Sequence, residues 1–168
     1  MKRINRILIC LLLVALTLCV LASCDDKPQP KTLEDVIPEL GEHEAAVIIK
    51  NGENDYEVYV VKLIGGDYVY SSSFCVTVLA YLRDTKGLVV DMTESEYGMF
   101  INAIGGITPD AANHEYVEVF TSNPEYQGTW AGVTTIEAGD ITLKSASVGV
   151  SSMQVGFGDV VYFELASY

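Results

Sequence analysis

Apolar residues recur along this chain with different periods, and each period predicts a different element. From Ile7 to Ser23 the run is unbroken by any charge. Ala45 to Ile49 is a short apolar stretch, Asn51-Gly52-Glu53-Asn54-Asp55 has turn chemistry, and Tyr56 to Ile64 is rich in β-branched and aromatic residues. Together these predict a β-hairpin, closed off by Gly65-Gly66-Asp67. Cys75, Val78, Leu79 and Leu82 then fall at i, i+3, i+4 and i+7, the single inward stripe of a helix. Ser71, Ser72 and Ser73 offer it N-caps, and Lys86-Gly87 supplies the stop.

Beyond the helix the period drops to two. Leu88 to Met92 and Tyr97 to Ile104 read as strands, the second setting Tyr97, Met99, Ile101 and Ala103 against Phe100, Asn102 and Ile104. Gly105-Gly106 and Pro109-Asp110 break the pattern. Tyr116 to Thr121 alternates again, Glu137 to Leu143 holds a turn and a strand, and Gly156 to Leu165 holds a stronger pair of the same kind. One helix among several strands, with a hairpin ahead of it, predicts an α+β fold: a curled sheet packed on a single helix.

The first apolar run needs a different reading. Lys2, Arg3 and Arg6 precede it, the layout of an export signal. It is shorter than the roughly 20 residues of a comfortable membrane span, so an uncleaved anchor is the weaker alternative. Leu21-Ala22-Ser23-Cys24 resembles the lipobox of bacterial lipoproteins. That resemblance implies cleavage after Ser23 and a diacylglycerol on the Cys24 thiol. It also implies a protein held at the extracytoplasmic face of a bacterial membrane. Several acyl chains would hold a domain there far better than one. Residues 24–43 carry Pro28, Pro30 and Pro38 among charges and read as the lipidated cysteine and a flexible tether. Leu33 to Leu40 could start a helical turn that Pro38 ends.

Charge and cysteine content narrow the function. The chain carries 10 Lys and Arg against 23 Asp and Glu, a net −13, and losing the signal would remove only basic residues. Such a balance disfavours nucleic acid. Of the 4 cysteines, Cys10 and Cys19 lie in the signal and Cys24 is the lipid site. Cys75 remains, on the helix stripe with no basic neighbour, and reads as a small core residue.

The order of motifs resembles a known family. A hairpin leads to the helix Thr77-Val-Leu-Ala-Tyr-Leu82; then come Tyr97-Gly-Met-Phe-Ile-Asn-Ala-Ile-Gly-Gly106, Ala146-Ser-Val-Gly-Val-Ser-Ser152 and Gly158-Asp-Val-Val-Tyr-Phe163. Across residues 44–168 this is similar to the transcobalamin-like C-terminal domain, a β-grasp-type module of exported bacterial proteins and animal cobalamin carriers. The resemblance implies a β-grasp-like sheet and makes cobalamin or another corrinoid the first ligand to consider. The chain departs from the family in two places. Tyr116 to Asn123 stands where a tryptophan-bearing strand ending in Asn-Gly is usual, and residues 124–145 form an extra segment with the chain's single tryptophan, Trp130. The helical barrel with which the animal carriers close over cobalamin has no counterpart in residues 24–168.

No nucleophile elbow, phosphate loop or dinucleotide fingerprint occurs, and no carboxylate pair stands out, so the expectation is a protein that is not an enzyme. His43 and His114 lack partners at metal-ligand spacing, and no metal site is expected. Residues 51–55 read as a turn rather than a calcium loop. Aromatic residues carry more information, since tyrosine and tryptophan suit recognition surfaces as well as half-buried sheet positions. Tyr97, Tyr162 and Phe163 read as packing residues. Tyr116 and Trp130 are the residues nominated for ligand contact. The expected function is a lipid-anchored binding module for a small ligand, with a structural or adhesive module that contacts surface proteins or wall polymers as the alternative.

Overall fold

The computed structural model describes residues 31–63 and 72–168. The signal, Cys24, the Gly65-Gly66-Asp67 break and Ser71 lie outside these residues. The described chain runs α1 (Leu33–Val36), β1 (Glu44–Gly52), β2 (Asp55–Lys62), β3 (Ser72–Phe74), α2 (Cys75–Lys86), β4 (Val90–Ser95) and β5 (Gly98–Ile104). It continues through β6 (Glu115–Thr121), β7 (Thr135–Ala138), β8 (Ile141–Ser145), β9 (Gln154–Gly156) and β10 (Val160–Ser167). Six strands form the main sheet in the order β2-β1-β10-β6-β8-β7. This is an α+β fold.

At the centre of the sheet the two most apolar strands lie side by side. β1 and β10 pair in parallel, from Ala46 opposite Val160 to Ile49 opposite Phe163. Their side chains alternate between faces, as a pleated strand requires. Val47, Ile49, Val161 and Phe163 join Val78, Leu79 and Leu82 of α2 in one core cluster. Ala46, Ile48, Val160 and Tyr162 join Phe120 and Leu143 in a second cluster on the opposite face. None of these central-strand side chains is more than 1% exposed.

That second face has its own cover. Leu33, Val36, Ile37 and Leu40 pack into the second cluster, and Leu33 is 8% exposed. Thr32 caps α1 reciprocally with Asp35: the Asp35 amide donates to the Thr32 hydroxyl, and the Asp35 carboxylate accepts from the Thr32 amide at 2.8 Å. The flexible tether expected through residue 43 therefore does not extend over this stretch. Its apolar residues fall at helical spacing and close a sheet face that would otherwise meet water, and the compact unit begins at Lys31. Pro38 stops the helix, as expected, but the packing continues past it to Leu40.

Three other expectations change. Ser72 and Ser73 do not cap α2, for they belong to β3, which pairs with β9, and no side chain caps the helix. Its first amides instead donate to backbone carbonyls of the loop before β9, Cys75 to Met153 at 2.8 Å and Val76 to Val150 at 3.0 Å. Gly87, at φ 78°, ends the helix in the left-handed conformation that glycine tolerates. Within the β4–β5 hairpin, the register shifts between Asp91 and Met92. The shift brings Ile101 and Ile104 into the same core, although simple alternation puts them on opposite faces. Tyr97 sits in the hairpin turn, 87% exposed, and is not a packing residue. Tyr162 and Phe163 are buried as expected.

The segment 124–145 is part of the sheet rather than an appendage. It supplies β7 and β8, and it sends Ala138 and Leu143 into the second cluster. Leu33→Ala is expected to lower unfolding free energy by about 2–3 kcal/mol, the usual cost of a truncated buried leucine. Urea denaturation measures it. An unchanged midpoint would mean that residues 33–40 do not cover the sheet.

Candidate functional site

Three open clefts line the described surface. The first, about 370 Å³, lies where the β1–β2 turn meets residues 106–108. Asn51 organises it: its side-chain oxygen accepts from the Gly106 amide at 2.6 Å and its amide donates to Glu57 at 2.7 Å. Tyr59 donates to the second oxygen of Glu57 at 2.7 Å. A Cβ on Gly105 would come within 2.7 Å of the Asn51 oxygen, so the Gly105-Gly106 break lets two loops touch. Residues 51–55, expected to turn, do so and also latch the hairpin to β5.

A second cleft, about 440 Å³, lies between Asp140 and Asp159. The Gln127 side-chain amide beside it donates to the carbonyls of Thr121 and Thr142, each at 3.0 Å. These contacts tie residues 121–142 together.

The third cleft, about 430 Å³, is bounded by residues 116–119 of β6, residues 145–149 and Trp130. It exists because β8 parts from β6. The two strands pair at Phe120 and Thr121, the Ala146 amide donates to Val119, and the chain then turns aside at Ser147, whose amide donates to Tyr126. Tyr116 and Trp130, far apart in sequence, line this one cleft. Trp130 is half exposed, and a Cβ on Gly128 would overlap its six-membered ring, so the indole rests on bare backbone. Burial raises the Tyr116 phenol above its ordinary pKa, and the Glu118 carboxylate raises it further. Glu118 accepts a 2.6 Å hydrogen bond from the Ser145 hydroxyl. Glu118 also stands directly opposite Glu164 in the β6–β10 register. Lys50, 3.4 Å away, and the Tyr162 hydroxyl, at 2.8 Å, both contact Glu164. Sequence reading missed Glu118 and Ser145, since neither alternation nor motif distinguishes them.

The histidines and Cys75 lie elsewhere. His43 stacks on Phe157 at 4.9 Å with its Nδ1 buried and without a partner. His114 packs on Tyr168 at 5.0 Å. Cys75 is fully buried, and burial pushes its thiol pKa up to about 12, so at neutral pH it is an inert core residue. Among the described residues no group of three or more His, Cys, Asp or Glu side chains could hold a metal ion.

Fold and surface together define an α+β domain with open clefts at the rim of its sheet. No protein-family model matches the chain, and no curated protein matches it. Among solved structures it is similar to a "putative metal binding protein" from Ruminococcus gnavus, with 16% identity and a TM-score of 0.49 over 76% of this chain and 99% of that one. It is also similar to haptocorrin in complex with Cbi, with 15% identity and a TM-score of 0.48 over 79% of this chain. That match takes in 27% of the haptocorrin chain.

Two outcomes follow from this geometry. Gly128→Ala should dislodge the Trp130 ring and shift the emission of the only tryptophan to the red, at a stability cost below about 1 kcal/mol. Unaltered emission would show that the ring does not rest on Gly128. At alkaline pH, Tyr59 and Tyr162 set the second outcome. Burial, followed by the hydrogen bond to Glu57, pushes Tyr59 up to about 12; burial, followed by the Glu164 charge, pushes Tyr162 well above the ordinary tyrosine value. Both phenols hold their protons more tightly when folded. Their contribution is therefore complete below about pH 10 and fades as pH climbs toward the folded values. Chemical denaturation from neutral pH upward should show stability falling above about pH 10, and Tyr162→Phe should make the fall shallower.

Proposed function

We propose that this protein is a non-enzymatic, lipid-anchored binding module on the extracytoplasmic face of a bacterial membrane, and that its ligand sits between Tyr116 and Trp130. The observation that carries the reading is their convergence on one open cleft, with an indole that is half exposed on a bed of glycine. Concave sites with an aromatic wall and a few polar groups are the usual form of a ligand site. Lys2, Arg3, Arg6 and Leu21-Ala22-Ser23-Cys24 support the anchor. A hairpin, a helix crossover and a central parallel β1–β10 pair support a β-grasp-like sheet.

The motif order from Thr77 to Phe163 makes a corrinoid the first ligand to titrate. An open cleft of about 430 Å³ suits one edge of such a macrocycle, leaving the rest outside. A structural or adhesive role is the second reading, favoured by the β4–β5 hairpin and the residue before it, where Tyr97, Phe100 and Val89 are 87%, 57% and 66% exposed.

Titrating the full chain with cobinamide and cobalamin should quench Trp130 emission saturably and shift the corrinoid absorbance. An unchanged signal at high micromolar ligand would remove the corrinoid. Cys24→Ser should move the protein from the membrane fraction to the soluble one, and retention in the membrane would refute the lipid anchor.

A further inference from the structure

The Tyr116–Trp130 cleft contains a strand edge that the sheet leaves open. In the β6–β10 ladder, the Tyr168 amide donates to His114 and the Ser122 amide donates to Val160. Even-numbered residues of β6 therefore turn their main-chain groups toward β10, and odd-numbered residues turn theirs the other way. On that other side β8 meets β6 at Phe120 and Thr121, and Ala146 reaches Val119. Val117 comes next along the edge. Its N–H and C=O point into the cleft at the place where residues 147–149 have turned away.

The same two-residue period sets Tyr116 and Glu118 together on one face, beside Trp130. Charge then selects the occupant. Glu118 faces Glu164 across the ladder, an unfavourable pairing of like charges. Lys50 lies against Glu164, whereas Glu118 accepts from the neutral Ser145 hydroxyl. Among the described residues, no lysine, arginine or histidine lines this cleft.

We infer that the cleft binds a short extended peptide segment bearing an arginine or lysine, which adds to β6 as a strand. Its backbone exchanges hydrogen bonds with Val117, its cationic side chain reaches Glu118, and the Trp130 ring flanks that cation. A residue opposite Tyr116 or Glu118 projects its side chain to their face, so the residues beside the cation are the ones whose backbone meets Val117. This inference rests on the reading of the cleft as the binding site and replaces the corrinoid with a peptide as its occupant.

The test uses the full chain in detergent with the peptide acetyl-Thr-Val-Arg-Val-Thr-amide. Trp130 emission and the Val117 amide resonance are the readouts. Both should shift saturably. Replacing the arginine by citrulline, N-methylating both valines, or substituting Glu118→Gln should each weaken binding by about tenfold or more. Glu118→Gln removes one member of the carboxylate pair, so it should leave the fold at least as stable, separating loss of binding from loss of structure. Equal affinity for the N-methylated peptide would overturn strand addition, and so would unmoved Trp130 and Val117 signals at millimolar peptide. A response to cobinamide without one to peptide would overturn this inference and leave the cleft standing as a small-molecule site.

Discussion

The parallel pairing of β1 with β10 is the constraint on which the other elements depend. Two strands that are apolar at every central position cannot face water on either side, so each must be covered by a separate layer. Helix α2 and the β4–β5 hairpin close one face, while residues 33–40 close the other against apolar side chains to which the sheet's own β7 and β8 contribute. Parallel neighbours also need a long crossover between them, which places everything from β2 to β9 between the two strands in sequence. The domain is thus assembled around its first and last strands, and neither cover is dispensable.

The clefts are a by-product of how those covers end. Residues 33–40 pack with Ile48, Phe120 and Tyr162, but the sheet runs on past them to Lys50, Glu118 and Glu164. There the central strands change character. Burial gives way to partly exposed alternation along Glu164–Ser167, and polar groups appear on the face that was apolar one turn of the pleat earlier. β8 parts from β6 over the same stretch. A strand edge, a carboxylate and an exposed indole therefore meet where the second layer stops.

Much of the fold was legible. The hairpin, the helix and its stripe, the buried Cys75 and the run from Val160 to Phe163 are local patterns, and local patterns survive into the structure because burial follows period. The errors have separate sources. Pro38 and the surrounding charges made residues 31–43 resemble linker, although Leu33, Val36, Ile37 and Leu40 already sat at helical spacing. Apolar residues at Ala45 to Ile49 with no alternation were the signal that a second cover was needed. Ile104 was assigned to the wrong face because a bulge has no reliable signature in a single sequence. Ser72 and Ser73 do not cap the helix because they pair with β9, and a distant loop offers its carbonyls to the helix start.

Tyr116 and Trp130 could be nominated from residue type, but nothing in their spacing showed that they would meet. The β1–β2 hairpin, the central apolar strands and the amphipathic face of α2 were determined by the sequence alone, because each depends on neighbours within a few residues. Tertiary structure decided that residues 33–40 are cover rather than leash, that Glu118 stands across from Glu164, and that β8 leaves Val117 open. Each of these depends on strand order and register, which arise from contacts between residues tens of positions apart.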